Sequence, residues 1–301
     1  METHALPGAR FVDPKVLARI KDLELLARNV VDGFINGLHR APFFGASVDF
    51  AEHRGYVAGD DIRRVDWRVY ARTDKYYIKE FEADSNANFS VLLDVSKSMG
   101  FGAKISKLDY AKTLAACLAY LANAQRDRVG LITFDEAIVD HVPPSAKHLD
   151  VVLHTLDKVQ PKRPGHLVAP LRRLAEHFGR RGIVVVISDF YAEPEEVFDA
   201  IGPIRFRGND VVLFHVLDPQ EVDFSFSEAS SFEDMESGDQ MPIVPAKLAA
   251  DYRALVKTHI ETLSKKAAQQ PVDYMLLNTS QPLDFALFRF LSMRQRLSRT
   301  R

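Results

Sequence analysis

Hydrophobic residues make up 47% of the 301-residue chain and charged residues 27%, which excludes a wholly disordered, collagen-like or coiled-coil protein. Lys plus Arg number 39 and Asp plus Glu 41, so the net charge of −2 gives no electrostatic support for nucleic-acid binding. The single cysteine, Cys117, excludes an intramolecular disulfide and a cysteine-based zinc cage.

The chain carries no pattern typical of a membrane or secreted protein. Charges interrupt its amino-terminal residues every few positions, so no signal peptide is predicted. The longest apolar runs, such as 183–187 and 211–216, are far shorter than the ~20 residues of a membrane-spanning helix. We therefore expect no membrane span and a soluble, cytoplasmic protein.

The first 86 residues differ in character from the rest. Apolar residues recur every three or four positions over 14–38, which predicts one amphipathic helix. Residues 39–88 are rich in charges, and the aromatic alternation of 75–81 predicts a strand. We assign 1–86 to an amino-terminal segment that holds a helix and an Arg/Asp-rich motif.

From residue 87 onward, strand and helix patterns alternate. Strands are predicted over 89–93, 128–134, 182–187, 210–217 and 272–277, and helices over 108–122, 149–159, 167–178, 194–201, 245–268 and 283–297. This alternation predicts an α/β domain over 87–301, with a doubly wound, mostly parallel sheet and helices on both faces. Residues 217–245 carry eight acidic and no basic residues, which indicates an acidic, β-rich insertion at the surface.

Oxygen-bearing side chains follow two of the predicted strands. Asp94, Ser96 and Ser98 come directly after an apolar strand, and Asp189 ends another. Because parallel strands place their carboxyl ends at one edge of a sheet, we expect these side chains to converge. Such oxygen ligands suit a hard divalent cation such as Mg²⁺. The alternative is that Asp94 and Ser96 only stabilise a turn or cap a helix.

These segments resemble a known fold. The residues FSVLLDVSKSMG at 89–100, together with 128–134 and 184–189, resemble the von Willebrand factor A fold. In that fold, the Asp-x-Ser-x-Ser pattern forms a metal-ion-dependent adhesion site. The resemblance implies that the same edge of the sheet holds a cation and binds a protein partner.

The flanking sequence resembles one bacterial family. The run from Arg54 to Trp67 (RGYVAGDDIRRVDW) is similar to the signature of the family called domain of unknown function 58, as are 70–74, 232–238 and 279–294. The resemblance implies a von Willebrand factor A-like domain with an amino-terminal helical and β extension and the acidic insertion. Such proteins are typically encoded beside AAA+ ATPases of the MoxR type, with which they are taken to work in protein assembly or cofactor maturation.

The chain departs from the adhesion-site pattern at one position. A threonine usually comes from a later loop, and His166 stands in its place here. Imidazole is a poor ligand for Mg²⁺ but suits Mn²⁺, Zn²⁺ or Ni²⁺. Either the ion differs, the loop acts through water, or the site is degenerate and empty. We expect weak binding of Mg²⁺ or Mn²⁺, with His166 as an additional candidate ligand; the alternative is an ordinary exposed histidine.

The Arg/Asp-rich motif is a second candidate surface. Arg63, Arg64, Trp67 and Arg72 are of the residue types that anchor protein interfaces, so they could bind a partner. The alternative is a network of internal ion pairs between these arginines and neighbouring aspartates.

No familiar catalytic motif stands out in the chain. It contains no P-loop, no H-E-x-x-H zinc motif and no G-x-S-x-G nucleophile elbow. We therefore expect a non-enzymatic, metal-dependent protein-binding module in which a carboxylate of the partner completes the coordination of the cation. The alternatives are a metal-dependent phosphoesterase that uses Asp94, and a structural scaffold with a vestigial metal site.

Overall fold

The computed structural model describes residues 22–40, 52–55, 65, 67–80, 87–102, 104–175, 178, 181–226, 230–235, 237–243 and 245–299. The strands within these ranges are β1 Glu52–Gly55, β2 Tyr77–Glu80, β3 Asn88–Asp94, β4 Arg128–Phe134, β5 Ile138–Ser145, β6 Gly182–Ser188, β7 Asp210–Leu217, β8 Ser230–Glu233, β9 Gln240–Ile243 and β10 Val272–Asn278. The α-helices are α1 Leu23–Arg40, α2 Trp67–Thr73, α3 Lys107–Ala124, α4 Leu149–Lys158, α5 Val168–Leu174, α6 Pro194–Phe206, α7 Pro219–Asp223, α8 Pro245–Gln269 and α9 Leu283–Arg299. A short 3₁₀-helix covers Lys97–Gly100.

Six strands form the central sheet, in the order β10-β7-β6-β3-β4-β5. The first five are parallel, and β5 pairs antiparallel with β4 at the edge. The chain builds outward from β3 in both directions, so the order of the strands reverses between β3 and β6, which is where ligands bind in open α/β sheets. The predicted doubly wound, von Willebrand factor A-like architecture is confirmed.

The central strands are buried on both faces, as their continuous apolar runs predict. Because side chains alternate across a strand, Val91 and Leu93 of β3 pack in a core with α3, whereas Leu92 packs in a second core with α5 and α6. The Ala-rich sequence of α3 allows this helix to lie close against the sheet, where most of its residues are buried.

The amino-terminal helix belongs to the same core. Leu26, Ala27, Val30 and Val31 of α1 are buried in the cluster that contains α3 and Phe89. The described part of the predicted helix is therefore confirmed, and its first eight positions, 14–21, lie outside the described residues.

The local structure differs from the expectations in several places. The edge strand β5 and the short helix α2 were not predicted; β5 contains Pro143 and Pro144, which an edge strand tolerates because it has a free side. The helix predicted over 167–178 ends at Leu174, and Phe178 is buried without being helical, since apolar spacing reports burial as well as helicity.

The acidic insertion is a short helix followed by a β-hairpin. Helix α7 starts it, and β8 pairs antiparallel with β9. The rings of Phe224, Phe226 and Phe232 contact one another, and Phe224 also lies 4.6 Å from the ring of Tyr252 on α8. These aromatic contacts attach the hairpin to the domain.

We predict that α1 unfolds together with the sheet. Leu26 is 3% exposed, so Leu26→Ala should lower the free energy of unfolding by about 2–5 kcal/mol. The adjacent Leu25 is 50% exposed, and Leu25→Ala is the matched control with a much smaller effect. Urea unfolding followed by circular dichroism measures both; equal effects, or a second transition in Leu26→Ala, would contradict the prediction.

Candidate metal site

Strands β3 and β6 bring two carboxylates to the same edge of the sheet. Their parallel pairing puts Leu93 opposite Ile187, so the next residues, Asp94 and Ser188, lie side by side. The Ser188 hydroxyl donates to Oδ2 of Asp94 over 2.6 Å. Asp189 follows at once, and Asp94 and Asp189 are only 5% and 3% exposed. Two acids 95 positions apart in the chain are thus brought together.

Ser96 and Ser98 lie on the loop that follows Asp94. The Ser96 amide donates to Oδ1 of Asp94 over 3.0 Å, which turns the loop back toward the carboxylate. The hydroxyl oxygens of Ser96 and Ser98 are 3.0 Å apart. The structure therefore groups three of the predicted ligands, two hydroxyls beside one carboxylate.

The loop that contains His166 also lies where it was expected. A Cβ on Gly165 would lie 2.3 Å from Cβ of Ser96, so only glycine allows this close approach. The amide of His166 donates to the carbonyl of Asp135 over 3.2 Å, at the end of β4. The His166 ring is exposed, and its Nδ1 accepts from the Ala169 amide over 3.4 Å. That nitrogen thus contacts the backbone at the start of α5.

A buried lysine that the sequence did not suggest completes the site. Lys107, at the start of α3, is 0% exposed. Its ammonium donates to Oδ2 of Asp189 over 2.8 Å and to Oε1 of Glu221 over 2.6 Å. Glu221 also accepts from the Asp218 amide, which caps α7. The sequence did contain one indication of this role. A lysine in the first turn of a helix opposes the helix dipole, so Lys107 needs a negatively charged partner.

Burial and charge set the protonation of these groups. Burial, and then the charge of Asp189, raise the pKa of Asp94 from its ordinary 3.8 to about 7, although hydrogen bonds from Ser188 and Ser96 oppose the shift. Burial acts to lower the pKa of Lys107, but the charges of Asp189 and Glu221 outweigh it, so the pKa of Lys107 is raised. Lys107 is therefore a permanent cation.

The ring of His215, near Asp189, carries no positive charge at physiological pH. His215 on β7 is buried, and burial lowers its pKa to about 3, so its ring is neutral at physiological pH. Its Nδ1 lies 2.7 Å from the hydroxyl of Tyr274, within hydrogen-bond distance. The positive charge beside Asp189 therefore comes from Lys107.

The donor set fits a hard cation. Carboxylate and hydroxyl oxygens are the ligands of Mg²⁺ and Mn²⁺, and Mg²⁺ retains several waters. Within the described ranges, no three side chains of His, Cys, Asp or Glu come together as a metal cluster. A cation here would therefore draw its ligands from Asp94, Asp189, the two serine hydroxyls and water.

The structure describes two of the four candidate partner-binding residues, Trp67 and Arg72. Arg63 and Arg64 lie outside the described residues. Trp67 is 55% exposed, and its ring lies edge-on to the rings of Tyr70 and Tyr76, which stack on each other with centroids 4.4 Å apart. Arg72, on the same helix α2, is also exposed. This aromatic group is a compact surface feature with a neighbouring positive charge.

Fold and family agree on the class of protein. The strand order and the loop after β3 are those of a von Willebrand factor A-like fold. A family model described as "Protein of unknown function DUF58" matches residues 52–262, and the chain belongs to this family.

Similar proteins span most of the chain. The "Uncharacterized protein Rv1480" of Mycobacterium tuberculosis (strain ATCC 25618 / H37Rv) is 29% identical over 293 residues, which cover 94% of this chain and 91% of the relative. An aerotolerance-related membrane protein from Bacteroides fragilis NCTC 9343 is 18% identical, with a TM-score of 0.45 over 67% of this chain and 97% of that one. BatB from Bacteroides thetaiotaomicron is also 18% identical, with a TM-score of 0.44 over 69% and 99%.

Among the residues that the structure describes, no helix combines the length and the apolar character needed to cross a membrane.

We predict that Asp94 destabilises the metal-free protein as the pH rises. The folded-state pKa of Asp94 lies above its ordinary value, so its contribution to stability is present below about pH 4 and is lost as the pH rises through about 7. The stability of Asp94→Asn relative to wild type should therefore increase by about 2 kcal/mol between about pH 5 and 7 and then level off.

Urea unfolding in EDTA measures this difference. Asn keeps the shape of Asp94 and can still bond to Ser96 and Ser188. The exposed Asp223→Asn removes the same charge away from the site and is the matched control. A difference for Asp94→Asn that does not change with pH would show that Asp94 is ionised throughout.

Proposed function

We propose that this protein is a non-enzymatic binding module that recognises a protein partner through a divalent cation, Mg²⁺ or Mn²⁺, at Asp94. By its family resemblance, the partner is a MoxR-type AAA+ ATPase, and the joint task is protein assembly or maturation. On this proposal the protein works in the cytoplasm, where such an ATPase has its nucleotide.

One observation carries the proposal. Asp94, Ser96 and Ser98 present one carboxylate and two hydroxyls at the point where the strand order reverses. Asp94 receives hydrogen bonds from neutral donors, the Ser188 hydroxyl and the Ser96 amide. Its negative charge is therefore not cancelled by these contacts, which leaves it to attract a cation.

The residues of the chain have separate roles in this mechanism. When bound, the cation supplies a positive centre that accepts a carboxylate oxygen from the partner. Asp94 would provide the charge that holds it, and the hydroxyls of Ser96 and Ser98 would add two oxygen ligands. Ser188 and the Ser96 amide fix the Asp94 carboxylate, so little side-chain entropy is lost on binding. Metal and partner would then strengthen each other's binding, as linked ligands must.

The same contacts argue against Asp94 as a catalytic nucleophile. Both of its carboxylate oxygens accept hydrogen bonds, which lowers their reactivity. A phosphoesterase that forms an aspartyl-phosphate also needs an acid for the leaving group, and the neighbouring serines are poor acids. The phosphoesterase remains the alternative that the experiment below must exclude.

The test is binding to a purified MoxR-type AAA+ ATPase of the organism that encodes this protein. Wild type should bind in Mg²⁺ and lose at least about tenfold in affinity in EDTA, since the coordination of the partner's carboxylate is then lost. Asp94→Asn should bind weakly in both conditions. Asp223→Asn, an exposed change of the same charge, is the matched control and should behave as wild type.

Two results would contradict the proposal. Equal binding by wild type and Asp94→Asn would remove the cation from recognition, and Trp67→Ala would then test the aromatic surface on α2. Hydrolysis of a generic phosphate ester that disappears in Asp94→Asn would favour the phosphoesterase instead.

A further inference from the structure

Lys107 is an unusual residue to find at this site. It is completely buried at the amino-terminal end of α3, where the helix dipole disfavours a positive charge. Taking an ammonium out of water is costly unless it is paired with acids and hydrogen-bonded. Residue 107 therefore needs its acidic neighbours in order to remain charged inside the fold.

The two candidate carboxylate ligands, Asp94 and Asp189, have different neighbours. Asp189 is paired with the Lys107 ammonium at 2.8 Å, and Glu221 accepts from the same nitrogen at 2.6 Å. The ring of Tyr191 lies 4.9 Å from that nitrogen, which adds a cation–π contact. Asp94, in contrast, receives an amide and a hydroxyl. The charge of Asp189 is therefore neutralised by an ammonium, whereas Asp94 is bonded to uncharged donors.

The ammonium of Lys107 opposes the binding of a divalent cation at Asp189. A divalent ion that used Asp189 would share that carboxylate with an ammonium, and like charges at such short range repel strongly in a buried site. The resident ammonium therefore lowers the affinity for an ion that binds Asp189.

We propose that Lys107 is a resident cation of the site, which competes with a divalent ion for Asp189 and keeps the ion weakly bound until a partner supplies a further carboxylate. This inference rests on the proposed function, because it concerns the same site. It assigns to Lys107 the control of whether metal binds alone or only together with the partner.

The test removes the resident cation without changing the net charge. Lys107→Met combined with Glu221→Gln deletes one positive and one negative charge, and it leaves the buried Asp189 carboxylate without a cation until a divalent ion binds. Glutamine at 221 retains an oxygen that can accept from the Asp218 amide and cap α7. The probe is Mn²⁺ alone, with free Mn²⁺ measured by electron paramagnetic resonance and with the melting temperature as a second readout.

We expect the double variant to bind Mn²⁺ about tenfold or more tightly than wild type, with a larger rise in melting temperature. Glu221→Gln alone retains Lys107 and should bind no tighter than wild type. Adding Asp94→Asn to the double variant should abolish the gain, which locates the ion at this site. Lys107→Gln with Glu221→Gln is a second variant that keeps a donor for Asp189, should the methionine impair folding.

Affinity equal to or weaker than that of wild type in both double variants would overturn the inference and make Lys107 a positioning residue for Asp189. The proposed function is tested separately. If wild type binds the ATPase in a Mg²⁺-dependent manner while the double variants gain no affinity for Mn²⁺, only the inference fails. If the double variants gain Mn²⁺ affinity while wild type ignores Mg²⁺ in partner binding, only the proposed function fails.

Discussion

The buried carboxylates of Asp94 and Asp189 lie close together, so their negative charges repel each other. The two side chains are compensated by different kinds of group. Asp189 is neutralised by the buried ammonium of Lys107. Asp94 has hydrogen bonds from uncharged groups, and its pKa is raised to about 7 by burial and by Asp189. The contacts described for Asp94 therefore include no positive charge. A cation is the ligand that would best stabilise its ionised carboxylate.

The surrounding architecture serves to maintain this arrangement. The parallel pairing of β3 and β6 fixes the two acids at one edge, and the start of α3 delivers Lys107 between Asp189 and Glu221. Glu221 also caps α7, which leads into the acidic hairpin. The edge of the sheet, the first turn of α3 and the base of the insertion thus share one network of charges. Such stored electrostatic strain is common at functional sites, where stability is lower than the fold would allow.

The sequence was sufficient to predict the residues that depend on strand ends. Asp94 and Asp189 follow strongly apolar runs, and parallel strands must present their carboxyl ends together, so their convergence followed from pattern alone. The same logic predicted β4 and β7 with their observed bounds. The contacts of Ser188 and Lys107 could not be predicted, because they depend on which side chains of distant segments meet after packing. The edge strand β5 was missed because its prolines and mixed polarity give a weak alternation signal.

The orientation of the His166 ring could not be predicted from the sequence either, and its role as a ligand stays a prediction. His166 was expected as a ligand in place of a threonine, and its loop does lie against Ser96 through Gly165. Its Nδ1, however, faces the start of α5. A single histidine in a sequence carries no information about which ring nitrogen will be used, since this is decided by the backbone amides nearby.

The most direct test of the central claim is a crystal structure of the protein grown at a Mn²⁺ concentration high enough to saturate a weak site, with the ion located by its anomalous scattering. We expect a peak in contact with the carboxylate of Asp94 and the hydroxyls of Ser96 and Ser98. A fully ordered loop at Asp94 with no anomalous peak, or a peak bound only by other residues, would contradict it.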